Sequence, residues 1–338
     1  MSYYKEREKK NTLKINEMLD NLPDFIRRYI YSIQNSTTTL SQIGYLTDIS
    51  AFFGYMFDKP ARAVTTDDLG TLRRDDFYGY LNYIRAYEKD GVCITNGDAS
   101  LKRKLSSLRG LWAYLYNEDL ISENVLSKVN VPKLRKKETV RLDADEKAEL
   151  LGRIENGNLG TERKEIYHKK LKQRDLAVTA LLLSTGMRVS ELVGLNLEDI
   201  NLEKSSARIT RKGNKADVVY FSDEASVYLS EYLEERQKIK CETPALFLSM
   251  RKQRIAVRTV ETVIKDYAKA VTLKHITPHK LRATYGSELY EETGDIYLVA
   301  QSLGHNSTDT TSKHYISTTD KKKSKTRNMV KLKGERQE

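Results

Sequence analysis

The 338-residue sequence contains only two cysteines, Cys93 and Cys241. They stand far apart and match no zinc-ligand or redox spacing, so neither a disulfide framework nor a cysteine metal site is expected. No run approaches the roughly 20 apolar residues that span a bilayer. The opening Met1-Ser2-Tyr3-Tyr4-Lys5-Glu6-Arg7 lacks the apolar stretch of a secretion signal. A cytoplasmic protein with no membrane partner is therefore expected. Internal repeats and long low-complexity tracts are also absent. Acidic residues are in deficit: 47 Asp+Glu face 58 Lys+Arg, a net charge of +11. That excess favours a polyanionic partner, nucleic acid first, against the plainer reading of a basic but merely solvated surface.

What is present suits a soluble globular chain, with 39% hydrophobic and 31% charged residues. The length exceeds the size at which one core usually stops growing, so two domains are expected. From Leu13 to about Lys128 apolar residues recur at helical spacing, as in Met18, Leu19, Leu22, Phe25, Ile26 and Tyr29, then Ile43, Leu46, Ile49, Phe52, Phe53 and Met56. This half reads as a helix bundle. Asp24, the stretch Ser36 to Thr39, and Thr65 or Thr66 are candidate helix caps, and Thr95-Asn96-Gly97-Asp98 reads as a turn. The stretch Ser100 to Tyr116 carries Lys102, Arg103, Lys104 and Arg109 on one side and Leu105, Leu108, Leu111, Trp112 and Leu115 on the other. One face packs and the other can meet phosphates, although a solvated amphipathic helix has the same pattern.

Val131-Pro132-Lys133-Leu134-Arg135-Lys136-Lys137-Glu138 interrupts the helical pattern with a proline and a run of charge, and reads as an interdomain linker. Beyond it Asp143 is a candidate N-cap for a helix running to about Arg153, and Arg174 to Ser184 is a strongly apolar helix. Arg208-Ile209-Thr210 and Val218-Val219-Tyr220-Phe221 flank Lys212-Gly213-Asn214-Lys215, the pattern of two short strands joined by a tight turn.

The chemistry-bearing residues lie in this second half. Ser184-Thr185-Gly186-Met187-Arg188-Val189-Ser190-Glu191-Leu192 joins two helices through a glycine and leaves Arg188 near a helix start. Its planar fork of donors suits phosphate oxygens, or equally an ion pair with Glu191. His279 and Arg282 are three apart and share a helix face. His275 and His279 have a spacing that metal sites use, but without a third ligand cluster no metal is expected. Leu303-Gly304-His305 then precedes Tyr315. A tyrosine with a pKa near 10 needs nearby cations or a base to act as a nucleophile. Arg188, Arg282 and His305 would provide that setting.

Taken in order, Arg188 in Thr-Gly-x-Arg-x-Ser-Glu-Leu, Lys212 in the strand turn, His279-x-x-Arg282, Leu303-Gly304-His305 and the following tyrosine resemble the catalytic signature of the tyrosine recombinases, the phage integrase and Xer-type family. The resemblance covers residues 140 to 320, and the helical first half is similar, less specifically, to that family's core-binding domain.

It implies a mainly α protein with a small antiparallel β-sheet (α+β), built as a two-domain DNA clamp: a helical, SAM-like core-binding domain over 1–135 and a catalytic domain over 136–338. It further implies Tyr315 as nucleophile, Arg188 and Arg282 as phosphate clamps and Lys212 as general acid, with Lys215 a nearby alternative. His279 and His305 would be further donors or proton-transfer groups, and Glu191 would support the first arginine. No cofactor is implied. The implied partners are a double-stranded DNA recombination site and other copies of the chain, as a tetramer on two sites. A non-cleaving DNA-binding protein of the same fold and a type IB topoisomerase are the alternatives. One departure stands out: Tyr315 lies ten positions after His305, where the family pattern has nine. An extra residue turns a helical side chain by about 100°.

Overall fold

The computed structural model describes residues 3–130, 139–157, 162–211, 213 and 215–304. The expected linker at 131–138, Lys212, His305, Tyr315 and the basic run after it lie outside the described residues. The chain divides into two units, Met1–Lys136 and Lys137–Glu338. Its described residues are mainly helical, with two small antiparallel sheets.

The first unit holds α1 (Tyr3–Asp20), α2 (Asp24–Ile33), α3 (Thr39–Met56), α4 (Thr66–Thr71), α5 (Arg74–Arg85) and α6 (Asp98–Asn117). Local capping chemistry sets several starts. Thr38 accepts from the Ser41 N–H (3.3 Å) ahead of α3. Thr65 and Asp68 exchange side-chain to backbone bonds of 3.2 and 2.7 Å ahead of α4. Asp24 is not the expected cap; Pro23 occupies that position, and Asp24 sits in the first turn, where the helix dipole favours a carboxylate. Helices alone do not make up this unit either. Strands β1 (Ala86–Lys89) and β2 (Val92–Thr95) form a hairpin between α5 and α6. Its two-residue turn, Asp90-Gly91, has positive φ at both positions (+52° and +73°), the geometry that matches strand twist.

Aromatic rings fill the centre of this unit. Phe52 stacks on Phe77 at 5.4 Å and meets Tyr80 and Trp112 edge-on at 5.0 and 5.6 Å, all four rings being fully buried. Each such pair contributes about 0.5–1.5 kcal/mol beyond the burial of its area.

The second unit opens with α7 (Ala144–Asn156), whose cap Asp143 exchanges bonds of 2.9 and 3.0 Å with Glu146. This helix continues three residues beyond the expected Arg153. Then come α8 (Glu162–Thr185), α9 (Val189–Gly194) and a three-stranded antiparallel sheet of β3 (Ile200–Asn201), β4 (Ser206–Arg211) and β5 (Lys215–Tyr220). The order closes with α10 (Asp223–Lys238), α11 (Val257–Ala268), α12 (Pro278–Thr293) and α13 (Ile296–Leu303). The apolar run expected from Arg174 is the buried C-terminal half of α8, which packs against α7, α10 and α12. In the β4–β5 hairpin Arg211 pairs with Lys215, so the expected turn falls between them. No described helix is long and apolar enough to cross a membrane.

Candidate active site

The turn from α8 to α9 is built by short-range bonds. Thr185 returns its hydroxyl to the Leu181 carbonyl (2.6 Å) and accepts from the Met187 N–H (3.1 Å), closing α8. Gly186 follows with φ +60°, and a Cβ there would lie 2.3 Å from Cδ1 of Tyr285 and 2.9 Å from Cδ2 of Leu303. Only glycine allows α12 and α13 to approach the chain this closely. Arg188 then caps α9: its N–H donates to Oε2 of Glu191 (2.7 Å), and its Nη1 donates to Oε1 (3.0 Å). Glu191 is only 3% exposed and is held by these donors. The ion pair and the phosphate-facing reading are compatible, because the Arg188 side chain remains 37% exposed.

A proline at the first position of α12 pre-sets the helix start. His279 is exposed in the first turn, and one turn later Arg282 is 2% exposed. Arg282 donates from Nη1 to the Gly186 carbonyl (2.6 Å) and from Nη2 to the Leu303 carbonyl. Asp295 caps α13, accepting from the Tyr297 and Leu298 N–H groups (2.8 and 3.1 Å). Gly304 ends it in the left-handed conformation, φ +59°.

The last carbonyls of a helix have no partner within it and carry its partial negative charge. Here guanidinium groups fill that role. Leu303 accepts from Arg282, Gly304 accepts from Nη2 of Arg188 (3.3 Å), and Arg211 donates to Leu303 from Nη1 (3.1 Å) and to Ser302 from Nη2 (3.0 Å). Three cations from α9, α12 and β4 thus converge on the residues immediately before His305.

Sequence reasoning missed Arg211. It is 9% exposed, binds Asp217 through Nε (2.7 Å), and lies 3.8 Å from Glu191. A Cβ on Gly304 would stand 2.6 Å from its Cζ. Neighbouring Arg208 belongs to the same basic strand but is exposed on its other face, whereas Arg211 shares the inward face with Ala207 and Ile209, a period-two signal that could have found it.

Of the expected site residues, Arg188, Glu191 and Arg282 come together, with His279 one turn from Arg282. Lys215 is exposed at the start of β5. Lys212, His305 and Tyr315 lie outside the described residues. Tyr285 on α12 is poorly suited to nucleophilic work, because burial pushes its phenol pKa up. In the first unit Lys102 is exposed. Arg103 makes a two-pronged contact with buried Asp48 (2.6 and 2.8 Å), which Lys104 joins at 3.4 Å. Arg109 donates to the carbonyls of Leu126 (3.2 Å) and Val129.

A fixed cluster of guanidiniums beside exposed imidazole can stabilise charge developing on phosphate oxygens. Among the described residues no group of three or more His, Cys, Asp or Glu side chains could hold a metal ion.

Comparison with known proteins identifies the family. A profile described as the phage integrase family matches residues 133–322. Tyrosine recombinase XerS of Streptococcus thermophilus (strain CNRZ 1066) is 32% identical over 88% of this chain and 93% of its own length. Among solved structures, XerH site-specific recombinase bound to its difH substrate, a pre-cleavage complex, covers 87% of this chain and 81% of that chain at TM-score 0.61 and 20% identity. A lambda integrase tetramer bound to a Holliday junction covers 84% and 77% at TM-score 0.57 and 19% identity. Those two likenesses establish a shared fold.

Proposed function

The chain belongs to the phage integrase family and is a tyrosine site-specific recombinase, and from that premise we propose that Tyr315 is its nucleophile, Arg188 and Arg282 its phosphate clamps and Lys212 its general acid. The observation that carries this reading is the convergence of Arg188 and Arg282 on the C-terminus of α13, one residue before His305.

The Tyr315 phenol passes its proton to a neighbouring imidazole, His279 or His305, its oxygen attacks the scissile phosphorus in line, and the bond from phosphorus to the 5′ oxygen breaks. Lys212 delivers a proton to that departing oxygen, leaving a 3′-phosphotyrosyl bond and a free 5′ hydroxyl. Negative charge on the nonbridging oxygens meets Arg188, Arg282, His279 and His305, while Glu191 fixes Arg188. The covalent bond keeps the phosphodiester energy, so a 5′ hydroxyl from a second strand reverses the step and completes exchange without a nucleotide cofactor. Lys215, on the same hairpin, is the alternative proton donor.

The substrate in this reading is a double-stranded recombination site, contacted by both units. The 1–135 region serves as core-binding domain with Lys102, Arg103, Lys104 and Arg109 toward the backbone, and 136–338 serves as catalytic domain. The working assembly is a tetramer on two sites, acting in the cytoplasm. Phosphate contacts would make affinity fall steeply with salt.

A nicked suicide substrate made from the protein's own site tests the reading. Wild-type protein should form a covalent adduct that Tyr315→Phe does not. An adduct that persists in Tyr315→Phe, or none with wild type on a mapped site, overturns it.

A further inference from the structure

Arg211, the last residue of β4, pairs with Lys215, the first of β5, and Lys212 follows Arg211 in the sequence. A lysine next to a hairpin's base is positioned only as well as that base is fixed. The residue at its base does have a fixed place. Arg211 is the last residue of β4, immediately before Lys212, and its guanidinium is buried against a different element.

Each of its three nitrogens is engaged: Nε with Asp217 on β5, Nη1 with the Leu303 carbonyl and Nη2 with the Ser302 carbonyl. Glu191, which also holds Arg188, is 3.8 Å away. Gly304 allows this approach, since any Cβ there would collide with the guanidinium.

We propose that Arg211 is a positioning residue for proton delivery, tying the base of the β4–β5 hairpin to the C-terminus of α13 so that the lysine in the turn is held at the site formed by Arg188 and Arg282. Leu303 accepts from both Arg211 and Arg282, and Glu191 lies against both Arg188 and Arg211. A displacement of the hairpin is therefore opposed by the same atoms that hold the phosphate clamps. This inference rests on the reading of Lys212 as general acid.

The test compares cleavage of a normal suicide substrate with one whose scissile 5′ oxygen is replaced by sulfur. A thiolate leaves without being protonated, so a defect in proton delivery disappears on the sulfur substrate, whereas a defect in folding or phosphate binding remains. Arg211→Lys keeps a cation near Glu191 but cannot make the forked contact with two carbonyls and Asp217. Arg211→Lys and Arg211→Ala should cleave the oxygen substrate about 10- to 100-fold more slowly, a share of the roughly 10²–10⁴ that a positioned general acid contributes. Both should approach the wild-type rate on sulfur. Melting curves identify a variant that has not folded; Arg211→Lys then decides, with Asp217→Asn as its companion.

Arg211 variants that are equally slow on both substrates, or as fast as wild type on the oxygen substrate, overturn the proposal. Lys212→Ala judges the underlying reading separately. Rescue of Lys212→Ala by sulfur supports Lys212 as the acid. Its failure to be rescued, while the Arg211 variants are, moves the acid to Lys215 on the same anchored hairpin.

Discussion

The two units bury different kinds of group. Among the described residues of the first, Asp48 is the one buried Asp, Glu, His, Lys or Arg, and the centre is aromatic. The second buries His168, Arg174, Asp175, Glu191, Arg211, Arg236 and Arg282. Buried charge is costly unless paired and hydrogen-bonded. Several of these side chains meet that condition by donating to backbone carbonyls: Arg174 to Leu248, Arg236 to Thr243 and Ala245, Arg282 to Gly186 and Leu303. A unit that only has to hold its shape can rely on dispersion and apolar burial. One that must present fixed cations to a transient charge needs them oriented before substrate arrives, and the carbonyl contacts provide that orientation.

The largest effect expected from this contrast is on stability. Trp112→Ala removes a fully buried ring packed on Phe52 and Phe77, and should lower the stability of the first unit by about 3–5 kcal/mol. Calorimetry should show the loss in the transition of that unit alone, and an equal fall in both units would break the contrast. The converse is Arg282→Ala. It takes away one donor to the developing charge, so covalent adduct formation should slow by about 10²–10³-fold. The unit that holds it should lose about 1–3 kcal/mol, because the Gly186 carbonyl loses its Arg282 donor while Leu303 keeps Arg211. A rate within threefold of wild type on the suicide substrate would count against Arg282 as a phosphate clamp.

Much of this architecture is legible in local pattern, because capping and periodicity act over a few residues. Thr65 with Asp68, Asp143 with Glu146, the glycine turn before Arg188 and the strand pair around Lys212 are all short-range devices. The Asp90-Gly91 hairpin was also signalled by its dipeptide, but its strands are short and strong helical patterns flank them. What depends on distant chain segments is not legible. Strand alternation puts Arg211 on the inward face of β4 with Ala207 and Ile209, but what it meets there, the end of α13 some 90 residues later, has no local signal. In the same way Asp48, 55 positions before Arg103, engages a side chain that the helix pattern alone places toward solvent. Family resemblance supplies the order of the catalytic residues, but not the arginine that braces them.

At the periphery the two units use the same device, and here the expected effect is smallest. Glu146 in the second unit has its carboxyl pKa lowered to about 2 from an ordinary 4.5. Burial, the largest influence, pushes it up, but the donors together outweigh it: Lys274 Nζ at 2.6 Å, the Asp143 N–H at 3.0 Å and the Thr272 hydroxyl at 2.8 Å. In the first unit, Lys59 at 2.5 Å and Thr65 hold Asp68 near 2 from 3.8. Because each folded pKa is depressed, the stabilisation is complete above the unfolded value and is lost as pH falls from there through about 2. Denaturant titrations should therefore separate wild type from Glu146→Gln at pH 6, with the gap narrowing below about 4.5 and closing near 2. Asp68→Asn should behave alike, its window opening below about 3.8. Both carboxylates lie far from full burial, so the gaps should be modest and should shrink with added salt. A gap at pH 6 that persists unchanged at pH 2 would mean that Glu146 acts through packing rather than charge, and the resemblance between the two peripheries would fail while the contrast between the two interiors stood.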